Sequence, residues 1–504
     1  MNSTLTYLRD ISQPQAQSFA SLGYHFSGSE SMIQNICDDS RSIQTGDTFL
    51  LLPRAVHQTH EYIQAAISAG AANIIGVGAT KISSSIPCLS LPNMHDLGAL
   101  LRRWFQTEQS QTQCVGITGT DGKTSVTWML REALTRYYGK AWSSGTLGWI
   151  EDAEQTHTLP NTTPSLLTLH RLLAAASKQA VPALVMEVSS HGIAQERIAG
   201  LDFNAALWTT LGHDHLEDHG GFDAYASTKQ SFVRHVAKHG GTVIYNQDQT
   251  RIHQRLQQED FTSFTYARGL HQPQVNILAW EQELPGLLRL ASQNEEVVIE
   301  DIPVGNFHAE NIAAVAQLLH AHLQLDLQTI APLLHGISAP PGRMQPVQAG
   351  RWQVFVDYAH TPEALQACLD TSRAMTRGRL LLVFGCGGDR DHEKRPQMGA
   401  VAAEYADVIW LTSDNPRSEA PESIISEIKQ GIATPHAVEI YSQSNREKAI
   451  ADAIAYMCID DVLIIAGKGH EPYMEIHGVK KPWSDIACAH QYLSLKNQGE
   501  AICA

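Results

Sequence analysis

The sequence predicts an α/β protein of three domains built on mostly parallel sheets. Three observations carry that prediction. Short β-type runs alternate with helical stretches along the chain, without tandem repeats or low-complexity tracts, as parallel sheets with crossover helices require. A glycine-rich loop lies between an apolar run and an amphipathic helix, and the last third repeats strand-then-polar-loop four times. The length of 504 residues fits three units of roughly 150 residues each.

Composition narrows the class further. Apolar residues make up 43% and charged residues 17%, enough for each unit to bury a core. Lys plus Arg is 36 against 52 Asp plus Glu, a net charge of −16. So acidic a chain lacks the cationic surface that sequence-independent nucleic-acid binding needs. No apolar run approaches the ~18 residues of a membrane span. The start, MNSTLTYLRD, has no basic segment followed by an apolar run, and the eight cysteines stand singly with no CxxC pair. The expectation is a cytoplasmic enzyme with reduced thiols, no nucleic-acid partner and no membrane insertion.

Residues 1–110 form the first expected domain. Strands are expected at Thr48–Leu52, Asn73–Val77 and Cys88–Leu91, with a helix over His60–Gly70 closed by glycine. The second domain is expected over 111–340. Cys114–Thr118 reads as a buried strand, followed by GITGTDGKTS and a helix. Val126, Met129, Leu130, Ala133, Leu134 and Tyr137 fall at offsets 0, 3, 4, 7, 8 and 11, one helical face. Gly139 is the expected stop. The third domain, 341–504, follows the APPGRM segment. Its strands Trp352–Val356, Leu380–Phe384, Val408–Leu411 and Val462–Ala466 precede DYAHTP, GCGGDRD, TSDNPR and GKGHE. In a parallel sheet those four loops share one edge, where ligands bind.

The central loop carries the strongest local chemistry. Gly116, Gly119 and Gly122 recur every third residue, and Lys123 and Thr124 follow. Glycines let the backbone approach phosphate oxygens, and the helix N-terminus adds positive potential. Lys123 would pair with the β- and γ-phosphates, and the Thr124 hydroxyl would bind Mg²⁺. The long GxxxxGK[ST] spacing fails at Ile117, but the shorter GTxGK[ST] form is present over Gly119–Thr124. The strand in PALVMEVSSHG ends in Glu187, a carboxylate placed to hold Mg²⁺ or to cap the next turn. LGHDHLEDHGG packs His213, His215 and His219 among three acids. It has no zinc-type spacing, so a Mg²⁺ or Mn²⁺ site and a polar surface loop both stand. Lys229 is unremarkable by its own chemistry. In DNPR, Arg417 could pair bidentately with a substrate carboxylate, although Asn415-Pro416 also suits an ordinary turn. Glu471 in GKGHE could receive an ammonium group, so these loops together could hold a zwitterion.

These motifs in this order resemble the Mur ligase family, and its MurE type most. The resemblance covers nearly the whole chain: DSR at 39–41, TGTDGKT at 118–124, NTTPS at 161–165 and MEVSSHG at 186–192. DHLEDHG at 214–220, GRM at 342–344 and VDYAHTPEAL at 356–365 follow. GCGGDRDHEKRPQMG at 385–399, DNPR at 414–417 and AGKGHE at 466–471 complete it. It implies an N-terminal domain that binds the UDP part of an acceptor, a central P-loop NTPase-like domain that binds ATP, and a C-terminal Rossmann-like domain that brings an amino acid. It implies ATP-dependent amide ligation through an acyl phosphate in peptidoglycan precursor synthesis, by a monomer acting on a nucleotide-sugar peptide and a diamino acid.

By matching position, the resemblance implies a role for each of a set of residues. Lys123, Glu187, His215 and Lys229 would be catalytic. Thr124 and Glu187 would serve one Mg²⁺, and His215 with a carbamylated Lys229 the other. Gly119, Thr120, Asp121, Gly122, Lys123, Thr124, Asn311, Arg343 and Asp357 would bind ATP. Ser40, Thr162, Thr163, Ser189, Gln195 and Arg197 would hold the acceptor. Arg390, Asp414, Asn415, Arg417, Gly467 and Glu471 would hold the amino acid, the DNPR form matching meso-diaminopimelate. The chain departs from the family pattern at Asp121, Thr210, His213 and His308, and at Arg54, Gln58 and Thr59 beside the expected uridine site. Two alternatives follow from these departures: a paralogue acting on another carboxylate acceptor, and an inactive nucleotide-binding partner protein.

Overall fold

The computed structural model describes residues 3–24, 32–53, 59–78, 84–152, 154–212, 216–268, 273–281, 286–347, 351–432 and 438–503. The chain falls into two compact units, Met1–Tyr266 with Gln317–Leu325, and Ala267–Ala316 with Asp326–Ala504.

The first unit begins with a four-stranded parallel sheet in the order Ile36–Cys37, Thr48–Leu51, Asn73–Val77, Cys88–Leu91. The three strands expected there all form, and the expected helix runs Thr59–Ser68. A larger sheet follows, whose parallel part runs Trp142–Gly145, Ala183–Glu187, Gln113–Thr118, Ala205–Trp208, Thr242–Asn246, Ser263–Ala267, and two short antiparallel strands, Gly148–Ile150 and Thr156–His157, extend it beyond Trp142–Gly145. Gln113–Thr118 therefore lies between Ala183–Glu187 and Ala205–Trp208. The loops after these three strands open on one edge, and that edge carries the site.

Packing fixes one glycine that spacing alone assigns to the phosphate loop. Gly116 sits inside the strand, where a Cβ would meet Phe232 Cζ at 2.4 Å. Its lack of a side chain admits the edge-to-face pair Phe203–Phe232. Loss of the buried Phe232 ring would cost about 3–5 kcal/mol. The following helix, Lys123–Tyr138, buries Val126, Met129, Leu130, Ala133 and Leu134 and ends at Gly139 with φ +81°. Tyr137 differs from expectation. It is 42% exposed and packs edge-on against Tyr138.

The second unit opens with an antiparallel meander, Val275–Glu281, Gly286–Ala291 and Glu296–Ile302. Its main sheet runs Gln345–Pro346, Gln353–Val356, Val462–Ile465, Leu380–Phe384, Val408–Leu411, Glu439–Ser442. All pairs but the first are parallel. Alternation along one strand explains why both faces are covered. Leu380, Leu382 and Phe384 enter one apolar cluster, while Leu381 and Val383 enter the cluster on the opposite face. The four expected strands are adjacent and parallel, so their four polar loops do share an edge. A hairpin, Tyr473–Ile476 with Val479–Pro482, follows the last of them. Its two-residue turn, His477-Gly478, has φ +48° and +75°, the left-handed pair that tight hairpins need.

Candidate active site

The loop after Gln113–Thr118 is built by close approach. Gly119 has φ +152°, and a Cβ there would fall 1.9 Å from Thr209 Oγ1, so no side chain fits. Gly122 opens the helix at φ +84° without a side-chain cap, which leaves first-turn N–H groups for an anion. The neighbouring strand end holds the loop in place. Asp121 N donates to Thr210 Oγ1 at 2.8 Å, and the Asp121 carbonyl accepts from the Thr209 and Thr210 hydroxyls. Gly212 N donates to Thr120 Oγ1 at 2.9 Å. The Asp121 carboxylate itself is exposed.

Two lysines converge on this loop. Lys123 Nζ donates to the Gly119 and Thr120 carbonyls, both at 2.8 Å. Lys229, on the helix Phe222–Lys238, is 1% exposed, and its Nζ donates to the same Gly119 carbonyl at 2.8 Å. Its Nζ also lies 4.7 Å from the centre of the Tyr225 ring. Buried ammonium groups are costly unless compensated, so this pair makes the loop strongly attractive to polyanions.

Opposite them is one buried acid. Glu187 ends its strand, and its Oε2 accepts from Thr124 Oγ1 at 3.0 Å and Thr146 Oγ1 at 3.1 Å. Oε1 accepts from Thr146 N at 2.8 Å. Burial pushes this carboxyl above the usual range, while Lys123 and the hydrogen bonds pull it back. Thr124 Oγ1 and Glu187 are hard oxygen donors of the kind Mg²⁺ takes, and so fit that ion. His215 lies outside the described residues.

A cavity of about 310 Å³ joins the lysines to the expected acceptor residues. Its lining includes Lys123, Thr162, Thr163, Ser189, Arg197 and Lys229. Thr163 Oγ1 donates to the Glu187 carbonyl at 2.9 Å and accepts from Ser189 N at 2.9 Å. Arg197 Nη1 donates to the Thr163 carbonyl at 2.6 Å, and Arg197 Nη2 to Gln195 Oε1 at 2.6 Å. Gln195 thus joins this group through Arg197. Ser40 lies elsewhere in the unit, on the single-turn helix Ser40–Ser42 capped by Asp39, and does not line the cavity. Sequence reasoning missed Thr146, Thr209 and Tyr225, which carry no motif of their own.

In the second unit, Asn311 is buried on the helix Asn306–Leu323. Asp357 Oδ1 accepts from Ala359 N and Oδ2 from Met344 N, both at 2.7 Å. Burial raises its carboxyl, and Arg343 opposes that rise. The Arg343 guanidinium lies 4.6 Å from the Tyr358 ring centre, and burial pushes that phenol up to about 12. Gly342, φ +72°, is a forced glycine, since a Cβ would meet His470 N at 2.2 Å. The GRM and GKGHE loops therefore interlock.

The expected amino-acid residues also gather in this unit. Asn415 Nδ2 donates to Glu471 Oε2 at 2.8 Å, and the buried Lys468 Nζ donates to both Asn415 Oδ1 and Glu471 Oε2 at 3.0 Å. Gly467, φ +107°, packs against Asp414, whose Oδ2 would lie 2.6 Å from a Cβ there. Arg417, itself at φ +50°, donates from Nη1 to the Gly388 carbonyl at 2.7 Å. Arg390 is exposed beside Gly387. Two buried arginines brace these loops. Arg446 pairs with Asp485 at 2.7 Å, both fully buried, and donates to the Ser413 and Ala466 carbonyls. Arg395 pairs with Glu419 at 2.8 Å and Glu427 at 2.9 Å and donates to the Gly387 carbonyl. Its hydrogen bonds hold the Glu419 carboxyl down at about 2.

Comparison with known proteins agrees with this arrangement. Residues 117–319 match the Mur ligase middle domain, and 342–469 match the Mur ligase glutamate ligase domain. The chain is 37% identical over 478 residues to a UDP-N-acetylmuramoyl-L-alanyl-D-glutamate–2,6-diaminopimelate ligase of Chromobacterium violaceum, covering 92% of this chain and 94% of that one. It is 35% identical to the ligase of the same name from Pseudomonas aeruginosa, over 92% of this chain and 95% of that one. Among solved structures, a ligase of that name superposes with a TM-score of 0.70 at 29% identity, over 96% of this chain and 99% of that one. The MurF ligase of Thermotoga maritima in complex with ADP shares the fold, with a TM-score of 0.64 at 16% identity over 92% of this chain and 98% of that one. With both family domains matched and relatives up to 37% identical over 92% of its length, this chain belongs to the Mur ligase family.

Proposed function

We propose that the protein ligates meso-diaminopimelate to UDP-MurNAc-L-Ala-D-Glu at the expense of ATP, a step of peptidoglycan precursor synthesis. The observation that carries this reading is the single cavity lined by Lys123, Thr162, Thr163, Ser189, Arg197 and Lys229. A phosphate loop and a set of carboxylate-binding groups share one space there, as acyl phosphate formation needs. An acceptor carboxylate oxygen attacks the terminal phosphorus of ATP, and ADP leaves. The amine then attacks the acyl carbon, loses a proton, and inorganic phosphate departs. Phosphorylation converts a poor electrophile into one with a good leaving group.

On this reading the loop N–H groups and Lys123 hold the polyphosphate, and Arg197 and Thr163 orient the acceptor. Lys229 adds positive potential beside Gly119, or, once carbamylated, an anionic ligand. Thr124 and Glu187 would hold Mg²⁺, which supplies charge neutralisation to the transferring phosphoryl group. Asn311, Arg343 and Asp357 serve the nucleotide, and Arg390, Asp414, Asn415, Arg417, Gly467 and Glu471 the amino acid. Residues 1–110, 111–340 and 341–504 would divide acceptor, ATP and amino-acid binding, in a cytoplasmic monomer.

Purified protein with ATP, Mg²⁺, diaminopimelate and a panel of nucleotide-sugar and free-peptide acceptors tests this. Phosphate release should require both acceptor and amine, with the tripeptide product seen by mass spectrometry. Turnover on a different carboxylate, or release independent of the amine, would overturn it.

A further inference from the structure

Thr146 belongs to no motif, yet it grips the buried acid of the phosphate site. The strand Trp142–Gly145 runs parallel to Ala183–Glu187, with Ser144 opposite Met186, so the turn that follows it, Thr146-Leu147, arrives beside Glu187. Gly145 makes room for the carboxylate, because a Cβ there would fall 2.1 Å from Glu187 Oε1. Thr146 N then donates to Oε1 at 2.8 Å, and its hydroxyl donates to Oε2 at 3.1 Å. Thr124 Oγ1 donates to the same Oε2 at 3.0 Å. Glu187, 2% exposed, thus has both oxygens fixed.

The Thr146 hydroxyl also lies 3.2 Å from Thr162 Oγ1, in the wall of the cavity. A hydroxyl has one proton to give and two lone pairs to receive with, and an ionised carboxylate only receives. The Thr146 proton is committed to Glu187, so Thr162 is the donor to Thr146. A one-way chain therefore runs from Thr162 through Thr146 to Glu187, each bond polarising the next. The Thr162 side chain makes no other hydrogen bond among the described residues, and its oxygen meets the cavity with lone pairs alone. It can receive an N–H or O–H group of a ligand and repels a carboxylate oxygen. Carboxylates are left to the cations of the same lining, Lys123, Arg197 and Lys229.

We propose that Thr146 is a positioning residue that ties the two halves of this site together. Its hydroxyl holds the Glu187 carboxylate toward Thr124 and turns Thr162 into a reader of hydrogen-bond donors on the acceptor. This rests on the function proposed above.

Binding measurements on the full chain, without turnover, test the assignment. T146V keeps the branched shape and the backbone N–H but removes the hydroxyl, whereas T146S keeps the hydroxyl and loses the methyl. Calorimetry reads Mn²⁺ affinity in the presence of ADP, and UDP-MurNAc-L-Ala-D-Glu affinity in the absence of nucleotide. T146V should weaken Mn²⁺ about tenfold and the acceptor about three- to tenfold, as loss of one charged and one neutral hydrogen bond predicts. T146S should stay within about twofold of wild type. In a T162V background, T146V should cost no further acceptor affinity, because its effect there passes through Thr162. A packing role would instead leave T146S weaker than T146V. That ranking, wild-type affinities in T146V, or losses that multiply in the double variant would each overturn the proposal. If T146V folds poorly, T146A measured against T146S isolates the same oxygen. Wild-type protein that does not bind this acceptor would sink the function itself, and the Mn²⁺ affinities then still decide whether Thr146 serves Glu187.

Discussion

Arg417→Ala is the sharpest perturbation of the amino-acid site. The side chain is 22% exposed and contributes one hydrogen bond, to the Gly388 carbonyl at 2.7 Å. Truncating one partner of a desolvated charge pair costs about 2–5 kcal/mol. Partial exposure places this pair near the low end, about 2–3 kcal/mol, or roughly a 30- to 160-fold rise in KM for diaminopimelate. The distal carboxylate is remote from the reacting amine, so it is held alike in ground and transition states. The kcat should therefore fall by less than about threefold. Arg417→Lys keeps the charge but loses the planar fork, and an intermediate rise of about tenfold follows. Phosphate release at saturating ATP and acceptor, with diaminopimelate varied, reads these values. The Gly388 carbonyl left without its partner costs about 1–3 kcal/mol of stability, which a thermal melt detects separately. An unchanged KM for diaminopimelate, or an equal rise in KM for all three substrates, would refute the reasoning.

The remaining predictions concern the other elements of the site. Lys229→Ala should abolish ligation, and short carboxylic acids should partly restore phosphate release if a carbamate is the working group; full activity in the plain variant would end that role. Asp121→Asn removes an exposed charge beside the phosphate loop and should lower KM for ATP about two- to fivefold at fixed Mg²⁺, the range of about 0.5–1 kcal/mol for exposed charges. Glu419 sits at about 2 in the folded protein against a usual 4.5, because of its hydrogen bonds from Arg395. A depressed carboxyl stabilises above its unfolded value and loses that contribution as pH falls. Between about pH 5 and pH 3 the melting temperature of the wild type should thus fall more steeply than that of Glu419→Gln; parallel slopes would contradict the pairing.

Much of this architecture was readable because its signals are local. Leu380–Phe384 and Val408–Leu411 appear with the expected bounds, since a short run of apolar residues between polar loops has few other uses in an α/β chain. Gly119 was readable from the GTDGKT motif, although the contact that demands glycine there, with Thr209, lies far along the chain. Gly116 was misread because spacing cannot separate a glycine that approaches phosphate from one that admits a phenylalanine ring. Tyr137 kept helical register with the core, yet register does not say which turns of a helix are covered.

What stayed hidden is the set of groups that hold the ligand-facing residues in place. Thr209 and Thr210 fix the phosphate loop through their hydroxyls, and any short polar side chain with that reach looks the same in a sequence. Arg446 and Asp485 tie two loops together from inside the domain, where a sequence shows only two separate charges. Glu475 is the clearest case. It lies outside every motif, and it pairs with Arg417 Nε at 3.4 Å because its strand, Tyr473–Ile476, docks on DNPR. A motif records which residues touch a substrate. Which neighbours set the field around those residues is decided by topology, as when Arg446 and Asp485 meet from distant segments inside the domain.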